Sequence, residues 1–199
     1  MPKILLGIFL MIGLGAGAQE KPEGLFINSK APDFRAKDQK GDEISLKELR
    51  KKGPVVLIFY RGYWCPYCTR ELQILEDSLA LIREKGAEIV AITPEKQDGV
   101  AKMIDKTKAS YSLITDDDMK IMKAYDVAYQ VDDKTVSRYK MSGIDLASNN
   151  GQKPGSIFLP VPAVYIVGKD GEIKYRFFDP DYRNQALVKD ILSNLTGLK

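Results

Sequence analysis

The sequence contains no histidine. That removes serine–histidine and cysteine–histidine nucleophile pairs, and every imidazole metal ligand. It has one tryptophan and two cysteines in 199 residues. A zinc site needs about four ligands, and two thiols with no second pair beside them leave a metal centre a poor fit. No run of one charge sign stands out. Lys and Arg total 30, Asp and Glu 27, the net charge is +3, and the signs are interspersed, which argues against nucleic-acid binding. Any catalyst here must work with Cys, acids, Tyr, Lys or Arg.

Only one apolar run is long. The chain opens MPKILLGIFLMIGLGAGAQE, with Lys3 as a short positive region, residues 4–14 apolar or Gly, and Ala16-Gly17-Ala18 as a small-residue exit. The run is too short to span a membrane comfortably, and the pattern is that of a secretory signal. We therefore expect residues 1–18 to be a cleaved signal peptide and the protein to be exported, periplasmic or secreted, with no stable membrane insertion. No cysteine follows the exit, so lipid attachment is not expected. Residues 19–199 are then one domain by length.

Both cysteines lie in FYRGYWCPYC, residues 59–68. In an oxidising compartment two cysteines pair. A C-x-x-C closes a very small loop, so it constrains the unfolded chain little and makes a poor structural staple. A redox dithiol is the reading that remains. The pair follows VVLIFY (55–60), an apolar and β-branched run typical of a central covered strand. From Pro66 to Lys85 the chain reads as a single helix, with Leu72, Leu75, Leu79 and Ile82 at steps of three and four. The mouth of a helix offers unpaired N–H groups and a partial positive charge that stabilise a thiolate. Pro66 fits the first turn, where a missing N–H costs nothing.

The rest of the chain alternates. A hairpin is expected around Lys40-Gly41, then a short helix opened by Ser45 with Glu48 three residues on. Strands are expected at 87–93 and 111–115, and helices at 95–109 and 117–125. Residues 162–178 read as a hairpin, and a C-terminal helix carries Leu187, Ile191 and Leu195 on one face. This is an α/β pattern with a mainly parallel core. Residues 128–160 break the rhythm with turn formers, and are expected to be a functional flap or insertion.

The pieces FYRGYWCPYC, GIDLASNNG and LPVPAVYIVGKDGEIKYRFFDPDY resemble the thioredoxin-fold superfamily. Within it the likeness is to peroxiredoxin-like proteins of the alkyl hydroperoxide reductase and thiol-specific antioxidant (AhpC/TSA) group, over roughly residues 28–197. The resemblance implies a thioredoxin-like fold, a central mixed sheet with flanking helices in three layers. It implies a Cys65–Cys68 redox pair with no separate cofactor. It also implies a thioredoxin-like or other thiol as electron donor, and a peroxide or a protein disulfide as substrate.

The two templates differ in register. The P-x-x-x-T-x-x-C motif of typical peroxiredoxins would make Cys68 the attacking residue, with Arg61 and Cys65 at its proline and threonine positions. The thioredoxin template makes Cys65 the nucleophile and Cys68 the resolving thiol. It would also place Pro162 as a cis-proline facing them, where the plain alternative is a trans proline at a strand start. Arg61 is a candidate to stabilise a thiolate or peroxide oxygen, or else a solvated loop charge. Glu71 either relays a proton to Cys68 or is a surface glutamate, the simpler reading. Trp64 and Tyr67 are a substrate platform or loop packing. Three functions follow: peroxide reduction first, protein dithiol–disulfide exchange second, and a non-catalytic binding module using 128–160 third.

Overall fold

Five buried residues in a row make β3 (Val55–Phe59) the middle of the fold. Alternation along the strand sends Val56, Ile58 and Tyr60 to one face and Val55, Leu57 and Phe59 to the other. A strand apolar on both faces must be covered on both, and each fully buried Ile or Leu contributes about 2 kcal/mol. The computed structural model describes residues 21–198; the expected signal at 1–18 lies outside them.

The chain opens with the hairpin β1 (Arg35–Lys37) and β2 (Glu43–Ser45), then α1 (Leu46–Lys52), β3, α2 (Pro66–Asp77) and α3 (Leu79–Glu84). It continues through β4 (Glu88–Thr93), α4 (Gln97–Thr107), β5 (Ser112–Thr115) and α5 (Lys120–Ala124). The main sheet runs β5-β4-β3-β8-β9, with β8 Ala163–Val167 and β9 Ile173–Phe178. The β3–β4 and β4–β5 pairs are parallel; β3–β8 and β8–β9 are antiparallel. One face packs against Leu72, Leu75, Ile82, Val100 and Met103, and against Ile191 and Leu195. The last two belong to α8 (Val188–Leu195). The other face packs against Leu46, Met122 and Tyr125. This is the expected three-layer thioredoxin-like architecture with a mixed sheet.

Residues 128–160 are folded. β6 (Ala128–Gln130) and β7 (Phe158–Pro160) pair antiparallel and close an excursion holding α6 (Asp133–Met141) and α7 (Leu146–Asn150). Asp132 and Asp145 cap the two helices, each accepting a backbone N–H three residues on. Val131, Leu146, Ile157 and Leu159 form a small core of their own, and Trp64 packs onto it.

Three expectations are corrected. The helix expected over 66–85 is two helices. It breaks at Ser78 (φ −104°, ψ 3°), whose N–H is shared between the Ile74 and Leu75 carbonyls, so the turn tightens there. Leu187 is not on the buried face of α8: it precedes the helix and is exposed, while Ile191 and Leu195 are fully buried. Pro162 is not a cis-proline, because no peptide bond among the described residues is cis. It directly precedes β8, where a missing N–H breaks no ladder bond. The β3–β8 register, ending at Phe59↔Ala163, puts Pro162 beside the segment leaving β3. No helix among the described residues is long and apolar enough to cross a membrane.

Candidate active site

The loop after β3 carries the chain to the mouth of α2. Gly62 makes the bend, with φ +153°, a conformation that residues with a side chain rarely adopt. Cys65 N–H then bonds to the Gly62 carbonyl at 3.0 Å, and Cys65 becomes the cap residue of α2 with Pro66 behind it. The cap is the sulfur itself: Cys65 Sγ accepts from the Cys68 N–H at 3.4 Å. It also accepts from the Cys68 thiol at 2.7 Å. Cys68, one turn in, is fully buried, and Cys65 is 2 % exposed.

These contacts push the two thiols in opposite directions. The bond from the Cys68 thiol brings Cys65 down to about 7, against the cost of burial, aided by the Cys68 and Tyr67 N–H groups and the Arg61 cation. Burial, then the bond to Cys65, pushes Cys68 well above the usual thiol range. Both sulfurs are buried, and the cap-position one is the one these contacts favour as a thiolate.

Arg61 is buried, not a solvated loop charge. Its guanidinium carbon lies 4.2 Å from the Tyr182 ring centre, 5.0 Å from that of Trp64 and 5.5 Å from that of Tyr139. It donates to the Tyr139 hydroxyl. No salt bridge among the described residues includes it. Burial alone would lower its affinity for a proton, but Tyr129, Tyr139 and Cys65 outweigh that and hold it cationic. Aromatic faces thus stabilise a cation that has no carboxylate to neutralise it, leaving its field for a sulfur or oxygen anion beside it.

Trp64 stacks edge-on with Tyr139 at 5.1 Å and joins the core of the excursion, so it is packing as much as platform. Tyr67 is exposed and meets Tyr182 at 5.9 Å. Tyr67, Arg70, Glu71, Ile74, Phe177 and Leu187 line a groove of about 560 Å³. Glu71 is not a surface glutamate. It is 6 % exposed, and burial pushes its carboxyl up to about 8, with a smaller push from Cys65.

The sequence reading missed Glu95, Tyr139 and Tyr182. Glu95 is fully buried just past the C-terminal end of β4. Burial pushes it up to about 7. Its Oε2 accepts the Tyr63 N–H at 2.8 Å. The signal available was position: α/β sheets build their sites off the carboxyl ends of parallel strands. Tyr139 and Tyr182 carry no local signal, because they reach Arg61 from distant parts of the chain.

The chain is 32% identical over 173 residues to peroxiredoxin Q of Sedum lineare, covering 86% of this chain and 78% of the relative. It is 26% identical over 174 residues to thiol-disulfide oxidoreductase ResA of Bacillus thuringiensis subsp. konkukian, covering 83% and 82%. The fold superposes on the crystal structure of peroxidoxin BcpB from Mycobacterium tuberculosis with a TM-score of 0.67 at 20% identity, covering 87% of this chain and 97% of that one. The sequence pattern of the AhpC/TSA family matches residues 27–176. With a match over most of its length and a cysteine pair at the helix mouth, the chain belongs to the AhpC/TSA family of thioredoxin-fold, peroxiredoxin-like oxidoreductases.

Proposed function

We propose that the protein is a thiol peroxidase in which Cys65 attacks and Cys68 resolves. One observation carries the order of the two thiols: sulfurs 2.7 Å apart, with Cys65 brought down to about 7 and Cys68 pushed up; peroxide as the substrate is supported by the AhpC/TSA match and the likeness to peroxiredoxin Q. The Cys65 thiolate attacks the terminal oxygen of a hydroperoxide. The S–O bond forms as the O–O bond breaks, and the alcohol or water leaves after taking a proton. The Cys68 thiol then displaces water from the Cys65 sulfenic acid, giving the disulfide. A dithiol donor of thioredoxin type reduces it and is itself oxidised. Arg61 supports the first step by favouring the thiolate and the developing oxyanion. Export, with residues 1–18 as a cleaved signal, is part of the same proposal.

The second reading is thiol–disulfide exchange with a protein partner. The Cys65-first register of the C-x-x-C favours it, as does the likeness to ResA. Trp64 is the only tryptophan and adjoins Cys65, so its fluorescence reports the redox state directly. Reduced protein mixed with hydrogen peroxide should change fluorescence and consume one peroxide per dithiol much faster than free thiol does. Consumption at the free-thiol rate, with fast oxidation by a protein disulfide, would transfer the assignment to exchange.

A further inference from the structure

Cys65 is 2 % exposed, so a partner that exchanges disulfides with it must settle onto the surface around it. On one side that surface is a groove of about 430 Å³, lined by Tyr63, Trp64, Pro66, Arg70 and Lys106 among others. Trp64 and Pro66 are the two chain neighbours of Cys65, so the groove ends at the loop that carries the sulfur. No acid among the described residues lines it.

The cations at this groove are not neutralised. Lys102 and Lys106 lie four residues apart on α4, hence on one face, and both are drawn to Tyr63. Their Nζ atoms lie 4.7 Å and 5.2 Å from its ring centre, and Lys106 also donates to its carbonyl at 3.0 Å. Asp98 and Asp105 share α4 with them, yet no salt bridge among the described residues includes Arg70, Lys102 or Lys106. Like charges four apart oppose one another and destabilise a helix, so the fold itself gains nothing from this pair. Helix α2 is built the same way. α1, α4, α6 and α8 each carry an acid in the first turn, where the helix dipole favours one; α2 carries none, and its first charged residue is Arg70.

We propose that this basic groove is the docking surface for a redox partner protein whose cysteines are flanked by Asp or Glu. The proposal rests on the Cys65–Cys68 disulfide being exchanged with a dithiol, which peroxide reduction and protein disulfide exchange both require. A partner thiolate attacks Cys65 Sγ, the Cys65–Cys68 bond breaks, and Cys68 leaves and takes a proton. The partner's second thiolate then attacks its own sulfur in the mixed disulfide and releases Cys65; two electrons have passed, and the partner is left as the disulfide. Acids beside the partner's cysteines meet Arg70 and Lys106 as its sulfur reaches Cys65. The groove thereby sets the encounter rate and the choice of partner.

The test is reduction of the oxidised full-length protein by two dithiol peptides of one sequence, with either Glu or Gln flanking the cysteines, followed by Trp64 fluorescence. Each rate is divided by that peptide's rate toward hydroxyethyl disulfide, a neutral probe, which removes the effect of Glu on the peptide's own thiols. At about 20 mM salt the Glu peptide should lead roughly tenfold, and at about 0.5 M salt the lead should nearly vanish. Arg70→Gln combined with Lys106→Gln should cut the lead to about twofold and leave the Gln peptide's rate unchanged. Lys52→Gln combined with Lys169→Gln removes the same charge at the far end of the sheet, where Val55 pairs with Val167, and should keep the lead. Equal rates for the two peptides, or a lead that both variant pairs reduce alike, would overturn the proposal. A slower Gln peptide with the lead intact would mean a disturbed loop and no docking charge, and overturns it as well. The assay holds no peroxide, so failure of the peroxidase reading leaves its result standing.

Discussion

Glu71 makes the pH dependence of stability a direct test of the buried acids around the dithiol. The folded chain holds its proton up to about 8, against an ordinary value of 4.5. Between those values the folded chain binds more protons than the unfolded chain, so stability is full below pH 4.5 and falls as pH rises toward 8. The gap of about 3.5 pH units, at ~1.4 kcal/mol each, sets a ceiling of ~5 kcal/mol. The groove beside Glu71 lets water approach the carboxylate, which brings the expected value to about 2–3 kcal/mol. Glu95 adds a loss in the same direction, and Cys65, held below its ordinary value, adds a gain between about 7 and 9. Comparing wild type with Glu71→Gln isolates one group from the others. Urea unfolding of the reduced proteins at pH 5 should give nearly equal stabilities, since glutamine is close in shape to the neutral acid. At pH 9 the variant should be the more stable by about 2–3 kcal/mol. Parallel stability–pH curves, with a difference below about 0.5 kcal/mol throughout, would show that Glu71 ionises freely and that its burial has no electrostatic consequence.

Arg61→Met keeps the stem of the side chain within the aromatic rings and removes the charge. The Cys65 thiol should then ionise at higher pH, with about a fivefold slower alkylation at pH 7 if one pH unit is lost; an unchanged rate would mean that Arg61 serves packing alone. Gly62→Ala forces a methyl to within 2.5 Å of Glu95 Oε1 and Trp64 Nε1, on a backbone at φ +153°. It should cost about 1–3 kcal/mol in chemical denaturation, with the Trp64 emission shifted in the folded state. Wild-type stability and emission would show that the loop yields without strain.

The comparison of sequence with structure divides by distance along the chain. β3 was legible because five apolar residues in a row admit only a covered strand. The Ser45 cap, Pro66 in the first turn of α2 and the hairpin ending in β9 were legible for the same reason: each depends on neighbours within a few residues. The excursion at 128–160 was visible only as a break in rhythm. Its helices are short and polar, and they hold through a small core assembled from both ends of the segment. The helix break at Ser78 left no mark, since the apolar spacing runs through it unbroken.

The sequence by itself determined that this protein is an α/β chain with one cysteine pair at a helix mouth, and that it holds no histidine to serve its chemistry. Only the tertiary structure set the surroundings that distinguish the two sulfurs. Cys65 and Cys68 are equivalent as letters; the cap position of Cys65, whose sulfur accepts the Cys68 N–H, separates them. Arg61 reads as a loop charge until Tyr139, 78 residues away in the chain, closes on it. Glu71 reads as a surface glutamate until the chain around Ala186 closes over it. Hydrophobic periodicity is a local property and survives in the sequence. Desolvation and the field at a sulfur are sums over atoms from every element that converges on it, and they exist only once the chain has folded.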